Sequence, residues 1–332
     1  MTVRKSTGKR HIGRAVWFTN PGVAEIRVET LKAPAPNEAV VRALYSGISR
    51  GTERLVLNGA VPESEWPRMR APFQSGDFPF PVKYGYCATG IVEDGPEDLV
   101  GKTVFCLHPH QDIFVAPIAA LAVVPEDVPA KRATLAANME TALNAHWDAA
   151  TGPGDRIVVV GAGVVGLLVA RIAAQLPHAE VTVIDIDPSR RALVQDFGGD
   201  FALPDQATQD ADVVFHTSAS SEGLTTAINC AGFEARVIEL SWYGASQQQV
   251  SLGGAFHSRR LTLQSSQVGQ VSASRRARWS YSRRLATALK LLRDPVLDQL
   301  VYDEISFRDA ADLIPAILNG PASKLAPVLN YA

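Results

Sequence analysis

Hydrophobic and polar positions along the chain fall into two textures. From residue 15 to about 125 the apolar positions come in short alternating runs. Segments 40–45, 90–93 and 103–107 read as half-buried strands. Prolines 62, 67, 72, 79 and 81 interrupt the stretch between Val61 and Val82, which predicts an irregular surface loop. After Pro129 the rhythm changes. An alanine-rich segment, 130–150, predicts a helix, and the turn Gly152-Pro-Gly-Asp155 leads into the apolar run Arg156-Ile-Val-Val-Val160.

Strand and helix patterns then alternate: helix 164–175, strand 181–184, a helix opened by Asp187-Pro188 and closed by Gly198-Gly199, strand 212–216, helix 222–230, and strands 237–240 and 261–263. This βαβ rhythm predicts a parallel sheet covered on both faces. Helix 281–292 carries Leu285, Ala288, Leu289 and Leu292 at amphipathic spacing. A short strand at 301–305, helix 309–318 and strand 327–330 complete the chain.

The junction of strand and helix at 160–164 carries the first chemistry. Gly161-Ala-Gly-Val-Val-Gly166 is a GxGxxG turn in the context that gives it meaning, after a buried strand and before an apolar helix. Gly161 permits the tight turn, Gly163 lets backbone approach a pyrophosphate, and Gly166 lets helix and strand pack closely. The helix start, with Val164 and Val165, presents N–H groups to phosphates. Asp185 ends the next strand, where an acid should hold the ribose diol. A carboxylate there repels a 2′-phosphate, which favours NAD over NADP. Arg190 and Arg191 follow closely, and arginines in that place can serve a 2′-phosphate. Segments His216-Thr-Ser218, Ser241-Trp-Tyr243 and Ser265-Ser266 follow later strands and are expected to line the nicotinamide half, Ser218 among the cofactor contacts.

Composition narrows the function classes. In 332 residues, 32 basic and 34 acidic side chains leave a net charge of −2, which supplies no field for nucleic acid. No run is apolar enough for a membrane span, and the basic start, Met1 to Arg14, lacks the core of a secretion signal. Three widely spaced cysteines, 87, 106 and 230, make no disulfide framework, so a cytoplasmic location is expected.

A β-rich N-terminal region, a mid-chain dinucleotide unit and a C-terminal return together resemble the medium-chain dehydrogenase/reductase superfamily. Ser46-Gly-Ile-Ser-Arg-Gly-Thr-Glu53, Tyr84-Gly-Tyr-Cys-Ala-Thr-Gly90 and Asn138-Met-Glu-Thr-Ala-Leu143 stand where its zinc-dependent members place their ligand segments. The resemblance implies an α/β fold in which a Rossmann doubly wound parallel sheet is inserted in a GroES-like β-rich catalytic domain. It implies a catalytic portion at 1–130, a cofactor domain at 131–270, and a C-terminal return at 271–332. Ser49 stands for a ligand cysteine and Tyr86 for a ligand histidine, and only Glu140 remains as a candidate ligand. A catalytic zinc needs about three strong protein ligands, so no metal site is expected there. Residues 53 to 86 contain no cysteine, so no structural zinc lobe is expected either. The Ser-Gly-Ile-Ser-x-Gly-Thr-Glu wording resembles a zinc-lacking branch that includes bacteriochlorophyllide-type hydroxyethyl dehydrogenases, although Cys87 departs from it.

Without zinc, the alkoxide charge that hydride transfer builds must be met by a hydrogen-bond donor or general acid. Tyr86 is the first candidate, with Ser49 and Thr52 passing a proton outward and Glu140 positioning water or a hydroxyl. Glu140 could instead pair with a basic group, and His108-Pro-His110 could line the site or lie in a surface loop. The arginine-rich segment 274–284 could attract an acidic substrate, or be a solvated turn or an oligomer contact. The expectation is a zinc-independent NAD(H) oxidoreductase acting on a small alcohol or carbonyl substrate, working as a homodimer without nucleic-acid or membrane partners. The alternatives are an enoyl or quinone reductase and a catalytically inactive dinucleotide sensor or scaffold.

Overall fold

A computed structural model describes residues 11–321 and 325–332. The chain forms two compact units. One comprises residues up to Ala137 together with Leu285–Ala332, and the other is Asn138–Arg284. The seams therefore fall at 137 and 284 rather than at the expected 130 and 270, inside helices Ala136–Ala149 and Tyr281–Leu291.

The cofactor unit is built on six parallel strands. Their order is Asp200–Ala202, Glu180–Ile184, Arg156–Val160, Ala211–His216, Ala231–Glu239, Thr262–Ser265. In chain order this is 3-2-1-4-5-6, the doubly wound dinucleotide arrangement, with a topological switch between the first and fourth strands. Its strands are apolar for a physical reason. Val158, Val160, Ile184, Val214 and Val237 pack with Leu224 and Ile228 in one buried cluster, and burying each such side chain contributes roughly 1.5–3 kcal/mol. The three-residue edge strand Asp200–Ala202 is too short to announce itself by alternation. The fifth strand begins at Ala231, directly after helix Ser221–Cys230, rather than at 237.

The catalytic unit centres on strand Glu38–Gly47. It pairs with Ala88–Asp94, with Ile113–Pro117 and with the C-terminal strand Val328–Asn330, all antiparallel. Val41, Val92, Val104, Cys106 and Phe114 fill the space behind it. Strand His11–Asn20 heads a second sheet with Val23–Leu31 and Val82–Lys83. The proline-rich stretch holds only a turn of 3-10 helix, Glu63–Glu65, and the two-residue strand Ser75–Gly76 before Val82. The predicted helix 130–150 is broken into Ala130–Ala133 and Ala136–Ala149. The predicted strand 301–305 is displaced to Glu304–Ser306, behind a 3-10 segment, Pro295–Leu300, started by an Asp294 cap. No helix among the described residues is long and apolar enough to cross a membrane.

Candidate active site

In the cofactor unit the turn after Arg156–Val160 has the geometry its glycines require. Gly161 adopts φ +109°, the left-handed region that favours glycine. A Cβ on Gly166 would lie 1.9 Å from the Gly161 carbonyl oxygen, so the helix can approach the turn only with glycine there. A Cβ on Gly163 would meet nothing within 4 Å, which leaves open space in front of helix Val164–Ala173. No side chain caps that helix, so the N–H groups around Val164 and Val165 face this space as anion donors. The residues thus fit a dinucleotide pyrophosphate.

Asp185 sits at the end of the second strand, and its carboxylate braces the turn. One oxygen accepts from Ala162 N–H at 2.6 Å and the other from Asp187 N–H at 2.9 Å. Arg190 is turned back to Asp187 at 3.5 Å, with its side chain only 14% exposed. Hydrogen bonds from Ser189, assisted by Arg190, hold the Asp187 carboxyl below its ordinary range. Thr217 donates to the Val160 and Gly161 carbonyls at 3.0 and 2.9 Å. Ser218, exposed beside it, lies 2.8 Å from His216 Nε2.

In the catalytic unit, Ser49 follows the central strand as N-cap of helix Arg50–Leu57, which places Thr52 and Glu53 in the first turn. Tyr86 comes from the connection between Val82–Lys83 and Ala88–Asp94, and its phenol donates to Ser49 Oγ at 2.5 Å. Burial pushes the Tyr86 phenol well above its ordinary pKa, helped by Cys87 and Glu53 and opposed by hydrogen bonds with Ser49 and Thr52. The group therefore stays protonated and keeps its proton to donate.

Beneath this pair runs a buried polar chain that sequence reasoning did not assemble. Glu53 accepts from Ser49 N–H at 2.8 Å through one oxygen and faces His110 Nε2 at 3.0 Å through the other. His110 Nδ1 lies 2.7 Å from Ser46 Oγ, which lies 2.7 Å from the Tyr331 hydroxyl. Glu53, His110 and Ser46 have no exposed surface, so each polar atom must be satisfied from within. The Glu one turn after Ser49 was the available signal, but its histidine partner is 57 positions away. His108 does not join this chain. It is buried against Phe114 at 3.9 Å between ring centroids, and burial pulls its pKa down to about 3.

Glu140 belongs to the cofactor unit, and its carboxylate accepts from Arg284 Nε at 2.9 Å. Burial raises its pKa, and Arg284 pulls it back. The rest of the guanidinium goes to Asn144 Oδ1 at 3.0 Å and to the Val268 and Gln270 carbonyls at 2.7 and 3.3 Å. Of the two expectations for Glu140, the geometry displays the ion pair. Removing one partner of such a pair typically costs 3–5 kcal/mol, so the pair anchors segment 266–284 to helix Ala136–Ala149. In the same segment Arg283 lies over Trp279 at 4.0 Å, and Trp279 packs on Trp147 at 4.6 Å.

Ser49 and Tyr86 are bonded to each other, Tyr86 is held protonated, and Glu140 is held by arginine. Among the described residues no group of three or more His, Cys, Asp or Glu is arranged to hold a metal. Cys87, Cys106 and Cys230 are all buried and form no disulfide.

Comparison with known proteins agrees with this architecture. Residues 136–238 match the family described as alanine dehydrogenase/PNT, C-terminal domain. D-guloside 3-dehydrogenase of Escherichia coli (strain K12) is 23% identical over 326 residues, covering 89% of this chain and 93% of that protein. A short chain alcohol dehydrogenase from E. coli CFT073, solved with NADH, superposes with a TM-score of 0.77 at 15% identity, over 96% of this chain and 99% of that one. A putative zinc-binding dehydrogenase from Sinorhizobium meliloti 1021 bound to NADP gives 0.78 at 16% identity, over 97% of this chain and 100% of that one. The chain shares the fold of these solved structures: a six-stranded parallel Rossmann sheet formed by one continuous stretch, and a β-rich unit formed by the residues on either side of it. D-guloside 3-dehydrogenase is similar to it in sequence, and the two solved structures are similar to it in fold.

Proposed function

We propose that this chain is a zinc-independent oxidoreductase that transfers a hydride between NAD(H) and an alcohol or carbonyl substrate, in the manner of the zinc-lacking branch it resembles. The observation that carries the proposal is the Tyr86–Ser49 hydrogen bond, formed by the two residues that stand for zinc ligands in the resemblance. Bound NADH supplies the hydride, and the oxygen of the reacting carbonyl then gathers negative charge. Tyr86, kept protonated by burial, donates to that oxygen and gives up its proton as the alkoxide forms. Ser49, which accepts from Tyr86, and Thr52 beside it, both partly exposed, then relay a proton from solvent back to the phenol. The helix Arg50–Leu57 fixes both hydroxyls, and Glu53 fixes the Ser49 backbone.

Gly161, Gly163, Val164, Val165 and Gly166 hold the pyrophosphate in this proposal, Asp185 the adenosine ribose, and Ser218 the nicotinamide half. The preference for NAD rests on the Asp185 carboxylate and on the engagement of Arg190 by Asp187. Asp185→Ala is expected to weaken NAD binding by about tenfold and to relax discrimination against NADP. Titration of both cofactors checks this, and an unchanged preference counts against the ribose role.

The direct test of function follows NAD(H) absorbance with panels of polyols, glycosides, ketones, enones and quinones, before and after exhaustive chelation. Turnover on an alcohol or ketone that survives chelation is expected. Loss of activity together with stoichiometric zinc would overturn zinc independence, and turnover confined to enones or quinones would favour the reductase alternative.

A further inference from the structure

The cofactor unit contains a second polar assembly. His216 and Glu239 are the last residues of neighbouring parallel strands and sit directly opposite in register, while Val160 is opposite His216 on its other side. Three adjacent strand ends therefore carry, in order, the glycine turn, an imidazole and a carboxylate. Glu239 Oε2 lies 2.7 Å from His216 Nδ1 and accepts from the Tyr243 phenol at 3.0 Å, and Oε1 accepts from Ser241 N–H at 2.7 Å. His216 Nε2 faces Ser218 Oγ at 2.8 Å.

A carboxylate surrounded by donors is an acceptor, so His216 Nδ1 carries the proton it shares with Glu239. Burial by itself would raise the Glu239 pKa, but hydrogen bonding and attraction from His216, with Ser241 assisting, bring it below the ordinary value. Burial and the Glu239 charge raise the Tyr243 phenol, so it remains a donor. Tyr243 and Ser241 are uncharged donors to Glu239. The carboxylate thus stands at the carboxyl edge of the half of the sheet that receives the nicotinamide nucleotide in doubly wound folds.

We infer that Glu239 is an electrostatic selector of the cofactor's oxidation state, favouring the cationic oxidised nicotinamide over the neutral reduced ring. His216, Tyr243 and Ser241 position its carboxylate. This rests on the NAD(H) reading above and deepens it. A chain biased in this way holds NAD⁺ more firmly relative to NADH, and so makes the bound reduced form a better hydride donor.

The test measures dissociation constants of NAD⁺ and NADH separately on the full chain. Glu239→Gln, which removes the charge and keeps the shape, is expected to lower the ratio Kd(NADH)/Kd(NAD⁺) by at least about threefold. Glu239→Asp, which keeps the charge, retains the ratio. Equal weakening of both forms by both variants would mean a structural role only, and an unchanged ratio in Glu239→Gln would equally overturn the inference. Tyr243→Phe removes a donor and leaves the charge, so it keeps or enlarges the ratio. A fall there overturns the inference even if Glu239→Gln does not fold. A wild-type chain that binds neither form would overturn the cofactor reading itself, and this inference with it.

Discussion

Tyr86→Phe is expected to reduce kcat by about 10²- to 10⁴-fold, the range lost when a positioned general acid is removed, while leaving the dissociation constant of NAD unchanged. The two effects separate because Tyr86 lies in the catalytic unit and the glycine turn in the other. Phenylalanine keeps the ring, so its edge contact with Tyr84 at 6.2 Å survives, and the loss reads on the hydroxyl. The sign of the pH dependence follows from the raised pKa. A phenol that ionises above its ordinary value of 10.0 keeps its proton through that value, so ketone reduction should show no loss attributable to Tyr86 as pH rises to 10. Steady-state kinetics with cofactor titration checks both points. A change of less than about threefold in kcat, well below the range for general acids, would remove Tyr86 from the chemistry and favour a dinucleotide sensor.

Gly166→Ala should be the most damaging change at the cofactor turn. Its methyl group would lie 1.9 Å from the Gly161 carbonyl oxygen and 2.7 Å from Thr217 Oγ1. Neither the turn nor the helix can yield without moving the donors, so NAD binding should weaken by roughly two orders of magnitude, or about 3 kcal/mol. Stability should fall by about 1–3 kcal/mol from overpacking. Gly163→Ala is the informative companion, because its methyl group meets nothing within 4 Å. It should melt like the wild type and yet bind NAD poorly, since the methyl group would occupy the space proposed for the pyrophosphate. Calorimetric titration and thermal melts of both variants separate space needed by the fold from space needed by the ligand. Undiminished NAD binding in Gly163→Ala would move the pyrophosphate elsewhere.

These two sites differ in how far they could be read from the chain. The dinucleotide turn was legible because strand, glycines, helix and acid occupy one continuous stretch ending at Asp185, and each has a local physical signature. The acid also braces Ala162, a contact that spacing alone does not reveal. Tyr86 and Ser49 were found as substitutions against a resemblance, and the structure brings them within 2.5 Å. The chain below them was not legible. Ser46, Glu53, His110 and Tyr331 meet only because antiparallel pairing aligns Gly47 with Val328 and Val41 with Phe114. Such non-local register leaves no periodic trace in any one segment. Glu140 was legible only as an acid on a helix; its partner Arg284 is 144 positions away.

The bond between Ser46 and Tyr331 spans 285 positions, and that separation imposes an order of events during synthesis. The cofactor unit is one uninterrupted stretch, so it can close as soon as it has left the ribosome. The catalytic unit must hold its central strand Glu38–Gly47 in waiting until Val328–Asn330 arrives to pair with it. Domains generally fold as units in the order in which they emerge, and distant pairings form late because loop closure must precede them. The half of the protein that begins first is therefore finished last, and a nascent chain halted before residue 328 would have a complete dinucleotide fold beside an unclosed sheet.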